Sequence, residues 1–586
     1  MDHLPVPPLA QTLGKYLRAV RPLLSSEEWR QTGDAVAQTL EGDGPALQAD
    51  LEAFADTENA QGRSWLSAAW LRGYLAIRTP LPLTSNVGFQ IRVPTHLDAQ
   101  PGVLAPSGSA RAAAVIHRLA AVHLAWLRGE LPAEVTPRGE SVCGVQREVL
   151  AGGVRHPAFD IDEVRPGSLT PERREIGLLL DDHFFGVPIS DEHGRLLSVE
   201  ALEHGIDSAL EQRPVGGTPA DPGFTAPSYL GSQAASAYLN RLLEDPANSR
   251  VYDRLTHALC VVNLIRTPDT INEHLRRTAF LPGQAWAYTP ITYQVSLADD
   301  FVGMHLEHSR VDAATLKTVL SLAQQADWIG EGGVASQELT QAEPLTWTFP
   351  EDIAAEMSRD IAAYRRAAEE LRLDRMIVTR PVPADLPFRV SDDAVCQWVM
   401  LYAQAATHGR ARSTYEAVDL RHFQAGRTEC LRSVTPEALA LVRALLAGRA
   451  DSALLHEALG AHKEWIKACK TGQGIDRHLT GLSFMAAKTG RTLPVEHDAG
   501  WGHLKTDFLS TTSIGDQDQI AGMAFAPTSE GGIGINYTPL EEHYEFLVIS
   551  HRAHHAEVQT FRGHLTRGAD ALGGLLAEMV ETSTEY

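Results

Sequence analysis

Helical and extended patterns alternate along the whole chain, which predicts an α/β class, with α+β as its alternative. Three stretches carry that reading. Residues 176–189 (IGLLLDDHFFGVPI) are extended and apolar; a turn at Asp191–Gly194 and a strand-like Leu196-Leu197 follow. Ser198 then caps a predicted helix over about 199–211. Thr435-Pro436-Glu437 is a second helix start, combining an N-cap, a proline at the first helical position and an early acid. Near the end, 533–537 (IGINY) and 544–550 (YEFLVIS) read as strands, and 556–582 returns to helical periodicity. Two stretches rich in Gly and Pro, 213–227 and 330–344, read as irregular loops, and the second is a candidate domain boundary.

At 586 residues the chain exceeds what one hydrophobic core fills, so two or more domains are expected. A composition 44% apolar and 21% charged is that of a globular protein. The net charge of -23 argues against a nucleic-acid partner and against an anionic membrane surface. No apolar run approaches the roughly 18 residues of a membrane span. Five scattered cysteines without a CxxC pair fit free thiols in a reducing compartment, and a soluble cytoplasmic enzyme is the expectation.

Metal and phosphate motifs are missing: the sequence has no HExxH, no GxxxxGK[ST] and no GxGxxG after a strand, so no metal is assigned. HRAHH at 551–555 reads as a strand end. Two segments hold chemistry. In FVGMHLEHSRVD (301–312), a strand pattern runs into His308, with Asp312 four residues on, so that either an imidazole at a strand edge is followed by an acid that can order the turn, or His308 is a surface histidine in a loop. In LSTTS (509–513), clustered hydroxyls can donate to a developing oxyanion, or else serve as a capping cluster.

In their order along the chain these segments resemble the carnitine/choline acyltransferase family. LPVPPLAQTLGKYLRAVRPLL near the start, WLRGYLAIRTPLPLTSNVGF (70–89) and EPLTWTFPEDI (343–353) share the likeness, as do YEAVDLRHFQAGRTECLRS (415–433) and DRHLTGL (476–482). The resemblance implies two related α/β domains of the chloramphenicol-acetyltransferase type with an active-site tunnel at their interface. Residues 1–88 with 350–586 would form one domain and 89–349 the other, carrying His308. It implies an O-acyltransferase in which His308 is general base between a thioester and a small alcohol, without an acyl-enzyme. Asp312 matches an acidic position that fixes the loop, and Ser510 and Thr512 belong to the hydroxyl triplet, Ser-Thr-Thr here in place of Ser-Thr-Ser.

The same resemblance maps a carboxylate-accepting site to Tyr415, Thr428 and Arg477, the carnitine pattern; choline-directed relatives replace the Thr by an apolar residue and the Arg by an uncharged one. Phe525 matches an aromatic position beside the trimethylammonium group, an attraction of about 0.5–2 kcal/mol. Met523, counted back from Pro527, matches the position that blocks the acyl channel in short-chain relatives; counting forward from Ser510 lands on Gly522 instead. The implied co-substrate is coenzyme A, with no bound cofactor. The two lysines expected near its 3′-phosphate are replaced by Val382 and Leu386, which leaves Arg380, Arg389 and the retained Asp393 as candidate contacts. An acyl carrier protein as donor, another small alcohol as acceptor, or a non-catalytic binder that kept the fold are the alternatives.

Overall fold

In the computed structural model, residues 1–94, 107–136, 139–214, 222–325 and 340–584 are described. Parts of both expected loops, 215–221 and 330–339, lie outside them. The strands are, in chain order, β1 (Val87–Ile91), β2 (Gly153–His156), β3 (Glu163–Pro166), β4 (Glu175–Leu180), β5 (His183–Pro188), β6 (Val261–Ile265), β7 (Ile291–Ser296), β8 (Val302–Leu306), β9 (Glu343–Leu345), β10 (Leu371–Thr379), β11 (Thr414–Asp419), β12 (Thr428–Leu431), β13 (Leu509–Thr512), β14 (Ile520–Phe525), β15 (Ile533–Pro539) and β16 (His543–His551).

Two large sheets carry the fold. The first has eight strands in the order β14-β1-β8-β7-β6-β4-β5-β9, and the second has six in the order β10-β16-β15-β13-β11-β12. Their pairing repeats. From β1 to β5 the steps run antiparallel, antiparallel, parallel, parallel, antiparallel. From β10 to β12 the sequence of steps is the same. The chain therefore builds one α/β design twice. Helices cover each sheet: Gly108–Leu127 packs its small buried face on the first, while Asp392–His408 and His555–Thr584 pack on the second. Every residue of β7 and β8 is buried, as expected for strands with helices on their flanks.

Two local features differ from the sequence reading or refine it. The stretch 176–189 is not one extended segment but the hairpin β4–β5, turning at Asp181-Asp182, both with positive φ (50° and 62°). Aspartate tolerates that left-handed geometry better than most residues, and the pair supplies the two turn residues of a tight hairpin. Residues 343–345, the end of the second expected loop, form the short edge strand β9.

The two halves are stitched together by β14, which leaves the second half and pairs antiparallel with β1 in the first sheet. The boundary expected at 88/89 thus falls inside β1, and 520–525 joins the sheet of the other half. A Cβ on Gly88 would lie 2.7 Å from Ala279, so glycine lets β1 approach the helix Ile271–Phe280 closely.

Candidate active site

A cavity of about 1130 Å³ lies where the halves meet, lined by β1, β11, β13 and β14, by the turn after β8 and by the helix Trp65–Leu75. His308, Asp312, Ser510, Thr512, Tyr415, Thr428, Arg477, Met523 and Phe525 all line it.

The turn after β8 is held from below. Glu307 is buried, and its carboxylate accepts the backbone N–H (3.2 Å) and hydroxyl (2.6 Å) of Ser309 and pairs with Arg155 at 3.1 Å. Arg427 reaches across from the second half. Its guanidinium donates to the carbonyls of His308 (3.0 Å) and Ser309 (2.7 Å) and grips Asp312 with two bonds of 2.7 and 3.0 Å. Gln146 donates to the same carboxylate at 2.8 Å. Burial opposes ionisation of Asp312, but Arg427, with His308 and Gln146 adding, outweighs it and holds the carboxyl below its ordinary range.

On this platform the His308 ring is 26% exposed. Its Nδ1 lies 2.9 Å from the Val311 carbonyl and 3.5 Å from Asp312. A carbonyl only accepts, so Nδ1 carries the proton and Nε2 of the neutral ring keeps its lone pair. His305, three residues earlier, has a different environment: fully buried, it donates from Nδ1 to the Thr278 carbonyl and accepts from Asn86. Burial brings its pKa down to about 4 and keeps it neutral.

Strand alternation sets the hydroxyl wall. Tyr415 on β11 stands beside Ser510 on β13 in the parallel pair. Thr511 is committed, donating to the Tyr415 carbonyl at 2.7 Å. The hydroxyls of Ser510 and Thr512 have no protein partner among the described residues, so both are available to a ligand. Arg477 donates to the Thr428 carbonyl (2.6 Å), the Tyr415 hydroxyl (3.1 Å) and the Thr428 hydroxyl (3.4 Å). It forms no ion pair with an acid side chain among the described residues, so the guanidinium is a half-buried cation on the cavity wall rather than a salt-bridge strut.

Sequence reasoning passed over Trp70 and Tyr74. They sit four apart on one face of Trp65–Leu75, a spacing legible in WLRGY. The Trp70 ring lies 4.4 Å from the Arg477 guanidinium carbon and 5.2 Å from that of Arg427. Tyr74 packs its ring 5.6 Å from that of His308.

Arg380, Arg389 and Asp393 do not line this cavity. Arg380 is paired with Asp392 (2.9 and 3.2 Å) and donates to the Val382 carbonyl. Asp393 accepts from Tyr537 at 2.6 Å and lies 3.0 Å from His462. Arg389 is exposed. No helix of the described residues is long and apolar enough to cross a membrane.

The chain is similar to carnitine O-acetyltransferase of Homo sapiens, 26% identical with 94% of this chain and 90% of the relative covered. It is similar to peroxisomal carnitine O-octanoyltransferase of Mus musculus at 26% identity (92% and 90% covered) and to choline O-acetyltransferase of Danio rerio at 25% (94% and 89%). The model of the family described as Choline/Carnitine o-acyltransferase matches residues 4–567. The chain therefore belongs to the choline/carnitine O-acyltransferase family and is an O-acyltransferase.

Proposed function

We propose that the enzyme reversibly transfers a short- or medium-chain acyl group between coenzyme A and the hydroxyl of carnitine, with His308 as general base. The observation that carries this is the His308 tautomer: with Nδ1 bound to the Val311 carbonyl, Nε2 is the ring's basic atom, and the ring lines the cavity between the halves. Nε2 takes the alcohol proton as the oxygen attacks the thioester carbonyl. The Thr512 and Ser510 hydroxyls donate to the resulting oxyanion. Collapse expels the thiolate, which recovers the proton from the imidazolium, so no acyl-enzyme forms. Asp312 and Arg427 act by holding the turn. Arg477, Thr428 and Tyr415 suit a carboxylate, and the Phe525 ring offers a π-face to a quaternary ammonium. The five buried cysteines are free thiols, which supports a reducing compartment such as the cytoplasm.

One observation favours a second donor. With Arg380 neutralised by Asp392 and Asp393 engaged by Tyr537 and His462, little positive charge is left there for a 3′-phosphate. A phosphopantetheine arm on a carrier protein lacks that group. Initial rates across acyl-coenzyme A, its 3′-dephospho form and an acyl-carrier donor, each with carnitine, choline and other small alcohols, test both readings. Turnover of carnitine with acyl-coenzyme A is expected. Turnover only with a carrier donor would replace the first reading by the second, and no carnitine turnover with any donor would end both.

A further inference from the structure

We propose a second ligand site, for a small oxyanion such as a carboxylate or phosphate, in a separate cavity of about 240 Å³ in the first half of the molecule. Its position follows from the repeat in the fold. β4 and β6 occupy in the first sheet the places that β11 and β13 occupy in the second. The reaction cavity takes in the carboxyl ends of β11 and β13, at Asp419 and Thr512. The smaller cavity takes in the carboxyl ends of β4 and β6, at Asp181-Asp182 and Ile265-Arg266. Carboxyl ends of parallel strands are where α/β sheets hold ligands.

Its lining gathers three arginines, beside Asp181 and Asp182, in a chain of net charge -23. Arg266, Arg277 and Arg365 converge on it from three different segments: the end of β6, the helix Ile271–Phe280 and the helix Glu351–Glu369. Arg266 is matched by Asp181 at 2.5 Å, and Arg277 by Asp269 and Glu273, both at 3.2 Å. Arg365 has no ion pair among the described residues. The floor carries Asn263, buried in the middle of β6 with its amide N–H₂ donating to Gln294 (2.7 Å) and Gln284 (3.2 Å).

His274 lines the same cavity and is 1% exposed, with Nε2 donating to Asp299 at 2.7 Å. Its Nδ1 is buried without a partner and, with Nε2 as the donor, carries a lone pair, so the donors facing the cavity are the guanidinium groups. Guanidinium groups in a part-enclosed cavity favour an oxyanion that takes parallel N–H bonds. Nothing in the transfer reaction uses these residues.

Titration of inorganic phosphate and of citrate by calorimetry at low ionic strength tests the site, with Arg365→Glu, Arg365→Lys and Arg477→Ala as comparisons. Arg365 supports no described contact, so its replacement leaves the fold intact, which an unchanged thermal midpoint checks. Saturable binding is expected for at least one probe, weakened about tenfold or more by Arg365→Glu, largely kept by Arg365→Lys and unaffected by Arg477→Ala. Binding that survives Arg365→Glu, that disappears instead in Arg477→Ala, or that never saturates would overturn the proposal.

Discussion

The turn after β8 and the turn after β16 stand at matching places in the two sheets, and each has histidines within or beside it, yet they are built differently. Between β8 and the helix Ala313–Gln324 the chain inserts residues 307–312. Arg155, Arg427 and Gln146 fix that loop from three directions. Between β16 and His555–Thr584 only 552–554 intervene. There the His551 side chain makes no hydrogen bond among the described residues, and His554 lies 3.8 Å from Glu557. Burial and the neighbouring His554 lower the His551 pKa. The difference does not lie in the residue type. It lies in a committed Nδ1, a rigid loop and a cavity in front of Nε2.

That comparison breaks most sharply at the two rings. His308→Ala is expected to cost on the order of 10²–10⁴-fold in kcat with the thermal midpoint little changed, the range for loss of a general base. His551→Ala should leave kcat within about twofold, as a surface change away from the reacting groups. Comparable losses in both variants would show that the cavity does not distinguish the turns.

The next largest effect is on the platform. Arg427→Met leaves the buried Asp312 carboxylate without its ion-pair partner, which should destabilise the fold by about 3–5 kcal/mol in denaturant titrations at neutral pH. Because the folded Asp312 pKa is depressed, its contribution is present above the unfolded value near 3.9 and lost as pH falls through the folded one. The gap between wild type and Arg427→Met should therefore narrow in acid. A constant gap from neutral pH down to about 3 would mean that the arginine acts through packing alone.

These contrasts also mark what the sequence could carry. His308 with Asp312 and the hydroxyl run stood out as local patterns, the Tyr415–Thr428–Arg477 set came only from the family resemblance, and the cavity gathers all of them. Local pattern could not separate His305 from His308: both sit in one short segment, and only the Thr278 carbonyl and Asn86, brought in from distant segments, make the first structural. Arg380 and Asp393 were named as donor contacts from position along the chain. Their partners Asp392, Tyr537 and His462 are what the fold adds. The transfer of β14 into the other sheet was equally invisible, since an apolar strand does not say which edge it will join.

Arg477 sharpens the comparison from the substrate side, because it lines the same cavity as His308. Arg477→Ala should raise KM for carnitine about tenfold to a hundredfold, consistent with losing a charge-assisted contact worth roughly 1.5–3 kcal/mol. The rate with choline, which has no carboxylate, should change little. An equal loss for both acceptors would assign Arg477 to holding Tyr415 and Thr428 in place rather than to the carboxylate.

The smallest effect on activity belongs to the strand that joins the halves. The sequence left Gly522 and Met523 as rivals for the acyl channel, and a strand turns successive side chains to opposite faces. Met523 stands across from Phe89, donates its N–H to Asn536 at 3.0 Å and lines the reaction cavity. Gly522 faces away, where a Cβ would come within 2.7 Å of Leu547. Met523→Gly should therefore extend the cavity and raise kcat/KM for longer acyl donors several-fold, while acetyl transfer falls slightly and stability drops by about 2–5 kcal/mol for the truncated buried side chain plus an added glycine in a strand. Gly522→Ala is the complementary variant. It should disturb packing against Leu547 and lower stability without shifting chain-length preference. If preference moves with Gly522 and not with Met523, the channel runs behind β14, towards Leu547 and Leu275, and the acyl group does not lie on the face shared with Phe525.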